Sequence, residues 1–232
     1  MKVTKWQPYF KTNVLTGEVE HTQMVYEPLV SPDKKVFCMN FSFPNNYQLE
    51  QAWCKKHPVY YTNEFVHFVF EKEIFYLEKF SKFNWCPEIV EIDYNARQIF
   101  FNWSGETCND LLYNSNNSRL STTITDKFET VLVSQINSGI YKLSTYPHSH
   151  YIDQSGVMKT FDFYATCTED DHFISIERIK GLLGDSYYRF SECYTNDMVD
   201  LKLMFKNTLS KYSFWPNDLT NTLYKKYNWK NL

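Results

Sequence analysis

The chain has 232 residues, a net charge of −3 and a pI near 6.1, enough length for one sizeable domain or two small lobes sharing a cleft. Acids and lysines are interspersed, which excludes nucleic acid as a partner unless a local basic patch forms. No apolar run reaches the length of a membrane span, the first ten residues lack the apolar core of a signal peptide, and the six cysteines have neither metal nor disulfide spacing.

Aromatic residues make up 19% of the chain and there are only six glycines, which predicts a core of large rings and argues against a glycine-rich phosphate loop. Trp6 to Phe10, His21 to Val30 and Lys35 to Phe43 are β-prone and separated by turn residues at Thr16-Gly17 and Ser31-Pro32-Asp33, so an antiparallel meander is expected. Residues 43–61 read as an irregular connector with one short helix over 48–55. A long helix then starts at Asn63 and runs over 63–82, with Val66, Phe70, Ile74, Leu77 and Phe80 as one apolar stripe. Glu73 falls inside that stripe: buried it needs a partner, and at the stripe's edge it is half solvated beside Lys72.

Trp85-Cys86-Pro87 stops the helix. Two strands follow, Glu88 to Asp93 and Gln98 to Trp103, and Asn114 to Thr125 is the best linker candidate. Thr125 to Tyr146 reads as an amphipathic helix with Phe128, Val131, Leu132, Gln135 and Ile136 on one side, placing Lys142 on its surface near the end. Beyond it, Tyr151-Ile152 and Val157 to Phe161 flank the turn Asp153-Gln154-Ser155-Gly156 as a hairpin that delivers Asp162. The rest is helical in tendency, over 175–183, 190–193, 197–211 and 219–226, with a break at Trp215-Pro216. A metal site on His148, His150 and Asp162 is disfavoured, because two histidines one residue apart on a strand face opposite ways.

The hairpin ending in Asp162-Phe163 resembles the catalytic centre of protein kinase-like and aminoglycoside-phosphotransferase-like folds, where a loop of the type H-G-D-x-x-x-x-N precedes a hairpin ending in D-F-G or D-F-D. The resemblance implies an α+β, two-lobed fold: an antiparallel N-lobe over 1–103 with one long helix, and a short, mainly helical C-lobe over 104–232 carrying the hairpin region 140–164. It implies ATP and magnesium as cofactors. Asp162 and Ser149 would be the metal ligands, Ser144 would stand where the catalytic aspartate belongs, and Glu73 would be the helix glutamate that pairs with a strand lysine. Met39 stands where that lysine belongs. Trp103, Gly105 and Glu106, in NWSGET, would meet the adenine and ribose.

Serine is neither a base at neutral pH nor a strong magnesium ligand, so the implied site is degenerate. The segments KVFCMNFSF, WCPEI, NWSGET, YPHSHYID and MKTFDFYAT also resemble a kinase-like family of marine cyanophages of the tailed myovirus group, which implies a source and a host-cytoplasmic location but no activity. The expected function is a pseudokinase-type module binding nucleotide, a host or phage protein partner, or both. One alternative is an active ATP-dependent phosphotransferase that recruits Lys34, Lys35 or Lys142. The other is a virion structural or assembly protein using its aromatic side chains as interface anchors.

Overall fold

The β-prone runs of the first hundred residues and one helical stripe each present an apolar face, and the two faces pack on each other. The computed structural model describes residues 6–9, 11–12, 19–20, 26–41, 63–103, 106–114, 120–143, 145, 147–163, 166–168, 173–175, 194–195, 198–211, 223 and 225–226. In chain order these form β1 (Gln7–Pro8), β2 (Lys11–Thr12), β3 (Val19–Glu20), β4 (Glu27–Val30), β5 (Val36–Asn40), α1 (Asn63–Phe80), β6 (Ile89–Asp93) and β7 (Gln98–Asn102). Then come α2 (Cys108–Asn114), α3 (Thr122–Asn137), β8 (Ile140–Lys142), β9 (His150–Ile152), β10 (Met158–Thr160), β11 (Thr166–Thr168), β12 (Phe173–Ser175), β13 (Tyr194–Thr195), β14 (Met198–Asp200) and α4 (Leu201–Lys211).

The result is a mixed α+β fold whose largest sheet is antiparallel, in the order β1-β4-β5-β7-β6. The expected meander is present, with the short β2–β3 pair between its first two strands. Phe37 and Met39 on β5 and Phe101 on β7 point into the same core as Val66, Phe70, Ile74, Leu77 and Phe80 of α1, all of them buried. Each such side chain contributes about 1.5–3 kcal/mol relative to exposure. Cys38 and Phe100, one residue out of phase, face the other way with Val36.

Three expectations are corrected. The helix expected over 125–146 spans Thr122–Asn137: Ser121 caps it by accepting the Ile124 N–H, and Gly139, at φ 68°, turns the chain out of it. Residues 140–142 therefore form strand β8, paired with β11, where helix was expected. In the expected helix 197–211, Met198–Asp200 is a strand between β12 and β13, and the Asp200 carboxylate accepts the Leu203 N–H, so the helix starts only after it. The helices expected over 48–55 and 190–193, most of those over 175–183 and 219–226, and the breaks at 16–17 and 215–216 lie outside the described residues.

The hairpin forms as its turn chemistry predicts. Ile152 pairs with Met158, Gly156 takes φ 78°, and the Asp153 carboxylate accepts the N–H groups of Ser155 and Val157, each at 2.9 Å. Among the described residues no helix is long and apolar enough to cross a membrane. Cys38, Cys86, Cys108 and Cys167 are free and buried.

Candidate functional site: a buried acid–lysine cluster

The inner face of α1 runs along the segment that leaves the hairpin. Glu73, fully buried, accepts the backbone N–H of Asp162 at 2.8 Å on one carboxylate oxygen and that of Phe163 on the other. One turn on, the Tyr76 hydroxyl donates to the Thr166 carbonyl at 2.8 Å, and the Phe80 ring meets the Phe163 ring edge-on at 5.3 Å. Successive N–H groups of an extended chain point to opposite sides. Here the left-handed backbone of Asp162, φ 72°, aims two of them at one carboxylate. That conformation costs about 1–2 kcal/mol in a residue other than glycine, which the two hydrogen bonds, about 0.5–1.5 kcal/mol each, offset.

Lys142 reaches the same place from β8. It was expected on a helix surface, but it is 1% exposed because β8 is a strand whose every residue is buried. Its ammonium acts on both the Glu73 and the Asp162 carboxylates and lies 5.9 Å from the Phe163 ring centroid. Burial lowers the Lys142 pKa to about 8 although both acids pull it up. Burial, then the neighbouring Asp162, pushes Glu73 up to about 8 against the pull of Lys142 and the two N–H groups. Desolvation thus outweighs attraction for both partners. His148, in the 3-10 turn Pro147–Ser149, places Nε2 3.9 Å from Asp162 Oδ2.

The structure brings Glu73, Asp162 and Ser149 together and leaves other expected residues elsewhere. The Ser149 carbonyl accepts the Phe161 N–H at 3.1 Å, stitching its turn to the residue before Asp162. Met39 is a fully buried core residue paired with Ile99, while Lys34 and Lys35 stay exposed on a turn, so of the three lysines considered only Lys142 meets the acids. The Trp103 N–H is bonded to the Lys35 carbonyl at 2.7 Å, and exposed Glu106 accepts from Asn114 at 3.4 Å. Ser144 and Gly105 lie outside the described residues. His150 packs on Phe128 at 5.0 Å, and burial, then Lys142, holds it well below the ordinary histidine range, so it is neutral. Among the described residues no three His, Cys, Asp or Glu side chains form a metal cluster.

Between the sheet and the hairpin lies a seam of rings. Trp103 sits 4.6 Å from Tyr151 and 4.8 Å from Phe37, and Phe161 sits 5.4 Å from both Phe37 and Phe101. As arranged, Asp162 is more enclosed than the usual carboxylate ligand of a magnesium ion. The ion needs exposed carboxylate oxygens and room for several waters, whereas Asp162 is 3% exposed and its counter-charge comes from Lys142. The missed participant was Lys142, and its signal was Gly139, which stops the helix ahead of a short β-prone run.

No protein-family model and no curated protein matches the chain. Among solved structures, monomeric WbdD matches over 90% of this chain and 49% of its own, at 12% identity and a TM-score of 0.47. WbdD co-crystallised with the kinase inhibitor LY294002 matches over 91% and 45%, at 10% identity and a TM-score of 0.46. WbdD described as a bifunctional kinase-methyltransferase matches over 91% and 47%, at 12% identity and a TM-score of 0.46. This chain spans about half the length of these three WbdD chains, 45–49%. The likeness is to a protein described as a kinase-methyltransferase, at low identity, and it lends no support to the cyanophage resemblance.

Proposed function

We propose that the chain is a kinase-like protein of the pseudokinase type, a module that binds a protein partner and transfers no phosphate. The supporting observation is the enclosure of its acidic pair: Glu73, Lys142 and Asp162 are 0%, 1% and 3% exposed, and the lysine neutralises from within the charge that a magnesium nucleotide would neutralise from outside. The glutamate that elsewhere prepares a phosphate site here fastens Asp162 and Phe163 to α1. The cyanophage resemblance accords with such a role in an infected cell. The test is thermal unfolding with and without saturating ATP and magnesium. A ligand at about a hundred times its dissociation constant adds about 2.7 kcal/mol; the expected shift is nil, and one of several degrees shows nucleotide binding and overturns the argument from the enclosed acidic pair.

One observation favours a second reading, an atypical phosphotransferase. Lys142 supplies, from an unexpected strand, the cation that Met39 cannot. Phosphate transfer from ATP that disappears in Asp162→Ala supports it and removes the first.

A further inference from the structure

The outer edge of β4 is covered by very little of the described chain. β1 pairs with it over two residues, Gln7 with Val30 and Pro8 with Leu29, and the Tyr9 N–H donates to the Pro28 carbonyl at 2.8 Å. Proline brings no N–H to that pairing. The segment is held instead by one ring on each face of the sheet, because residues three apart on an extended chain point to opposite sides. Trp6 lies 5.4 Å from Phe100, in the cluster of Val36 and Cys38. Tyr9 enters the other face, edge-on to Phe37 at 5.8 Å and to Trp103 at 5.5 Å.

The surface beneath Tyr9 is held together without it. Phe37 and Trp103 are 4.8 Å apart; Phe37 stacks on Phe101 at 5.1 Å, and Trp103 packs on Tyr151 at 4.6 Å. The Asp110 oxygen that takes the Tyr9 hydroxyl also accepts the N–H and the hydroxyl of Thr107, three residues away, so it keeps local partners when the phenol leaves. A short ladder over a preorganised surface opens at a free energy well below that of global unfolding. The cover itself states what the surface recognises: extended backbone along β4, an apolar ring on the Phe100 side, and a phenol whose hydroxyl reaches Asp110. We propose that residues 6–9 are a displaceable strap, an internal stand-in for a protein partner. The β4 edge, with Phe100 on one face and Phe37, Trp103 and Asp110 on the other, docks an extended partner segment carrying a tyrosine three residues after an aromatic one. The proposal rests on the reading of the protein as a partner-binding module and names the chemistry of that partner.

The experiment is fluorescence polarisation with a labelled peptide KWQPYF, the sequence of residues 5–10, added to the full chain carrying Trp6→Ala with Tyr9→Ala. In the wild type the strap competes at an effective concentration on the order of millimolar. The expected result is binding to the double variant at least tenfold tighter than to the wild type, and none by a peptide with both rings replaced by alanine. Circular dichroism checks that the variant is folded. Absence of binding by a folded variant overturns the proposal; so does equal binding by the wild type, which puts the dock elsewhere, or by the alanine peptide. Amide exchange in the wild type decides the matter even where the variant unfolds: the Tyr9 N–H should exchange at least a hundredfold faster than those of Phe37 and Phe101, and equal protection makes the segment part of the core and removes the strap. Phosphate transfer from ATP tests the partner-binding reading separately, and a failed peptide leaves that reading standing.

Discussion

Replacing Lys142 with methionine keeps most of the side-chain volume and removes the charge, so the effect of pH on the stability difference reports the environment of the ammonium. In the folded protein the group loses its proton near pH 8, in the unfolded chain near 10.5. Between those values the unfolded wild type binds one more proton, so wild-type stability rises with pH across that window. The methionine variant lacks this gain. Wild-type stability minus that of the variant should therefore rise by about 3 kcal/mol from pH 8 to 10.5, at 1.36 kcal/mol per pH unit of displacement. Any packing cost of methionine is constant with pH and cancels. Glu73 adds in the same direction, because losing Lys142 removes a charge that lowers its pKa. Urea unfolding followed by the fluorescence of buried Trp85 and Trp103 measures this difference at pH 7, 8.5 and 10. A constant difference over this range would mean an ammonium whose pKa is not lowered, either solvated or held by the carboxylates against desolvation, and would refute the reasoning.

Two further substitutions test how the site is held in place. The Tyr9 hydroxyl donates to the Asp110 carboxylate, which also accepts the N–H and hydroxyl of Thr107 at 2.9 and 2.6 Å, tying the end of β1 to the first turn of α2. Tyr9→Phe should cost about 1.5 kcal/mol in urea unfolding, the low end for a bond to a charged group because the site is half-buried, and a change below a few tenths would show the clasp to be idle. Gly156→Ala meets only the Lys127 ammonium at 3.8 Å, so crowding is absent and the φ of 78° alone sets the penalty. A loss of about 1 kcal/mol is expected, and an unchanged midpoint would mean the hairpin turn relaxes to another type.

Local chemistry is what the chain disclosed without coordinates. The hairpin turn follows from Asp153 and Gly156, and the α1 stripe follows from the spacing of Val66, Phe70, Ile74, Leu77 and Phe80; both depend on neighbours a few residues away. The inward position of Glu73 was legible in the same spacing, though its burial was not, because a stripe's edge and its centre differ only in what packs opposite. Asp200 shows the next limit: it caps α4 because Met198–Asp200 pairs as a strand with β12 and β13, which the local sequence does not announce. Lys142 lay beyond it. A lysine near a helix end is ordinarily solvated, and only the pairing of β8 with β11, behind Glu73 and Asp162, turns it inward. Composition and periodicity determined the sheet, the long helix and the delivery of Asp162. The tertiary structure decided where the balancing charge comes from, since a buried ion is held by groups from distant segments, and no local pattern records their meeting.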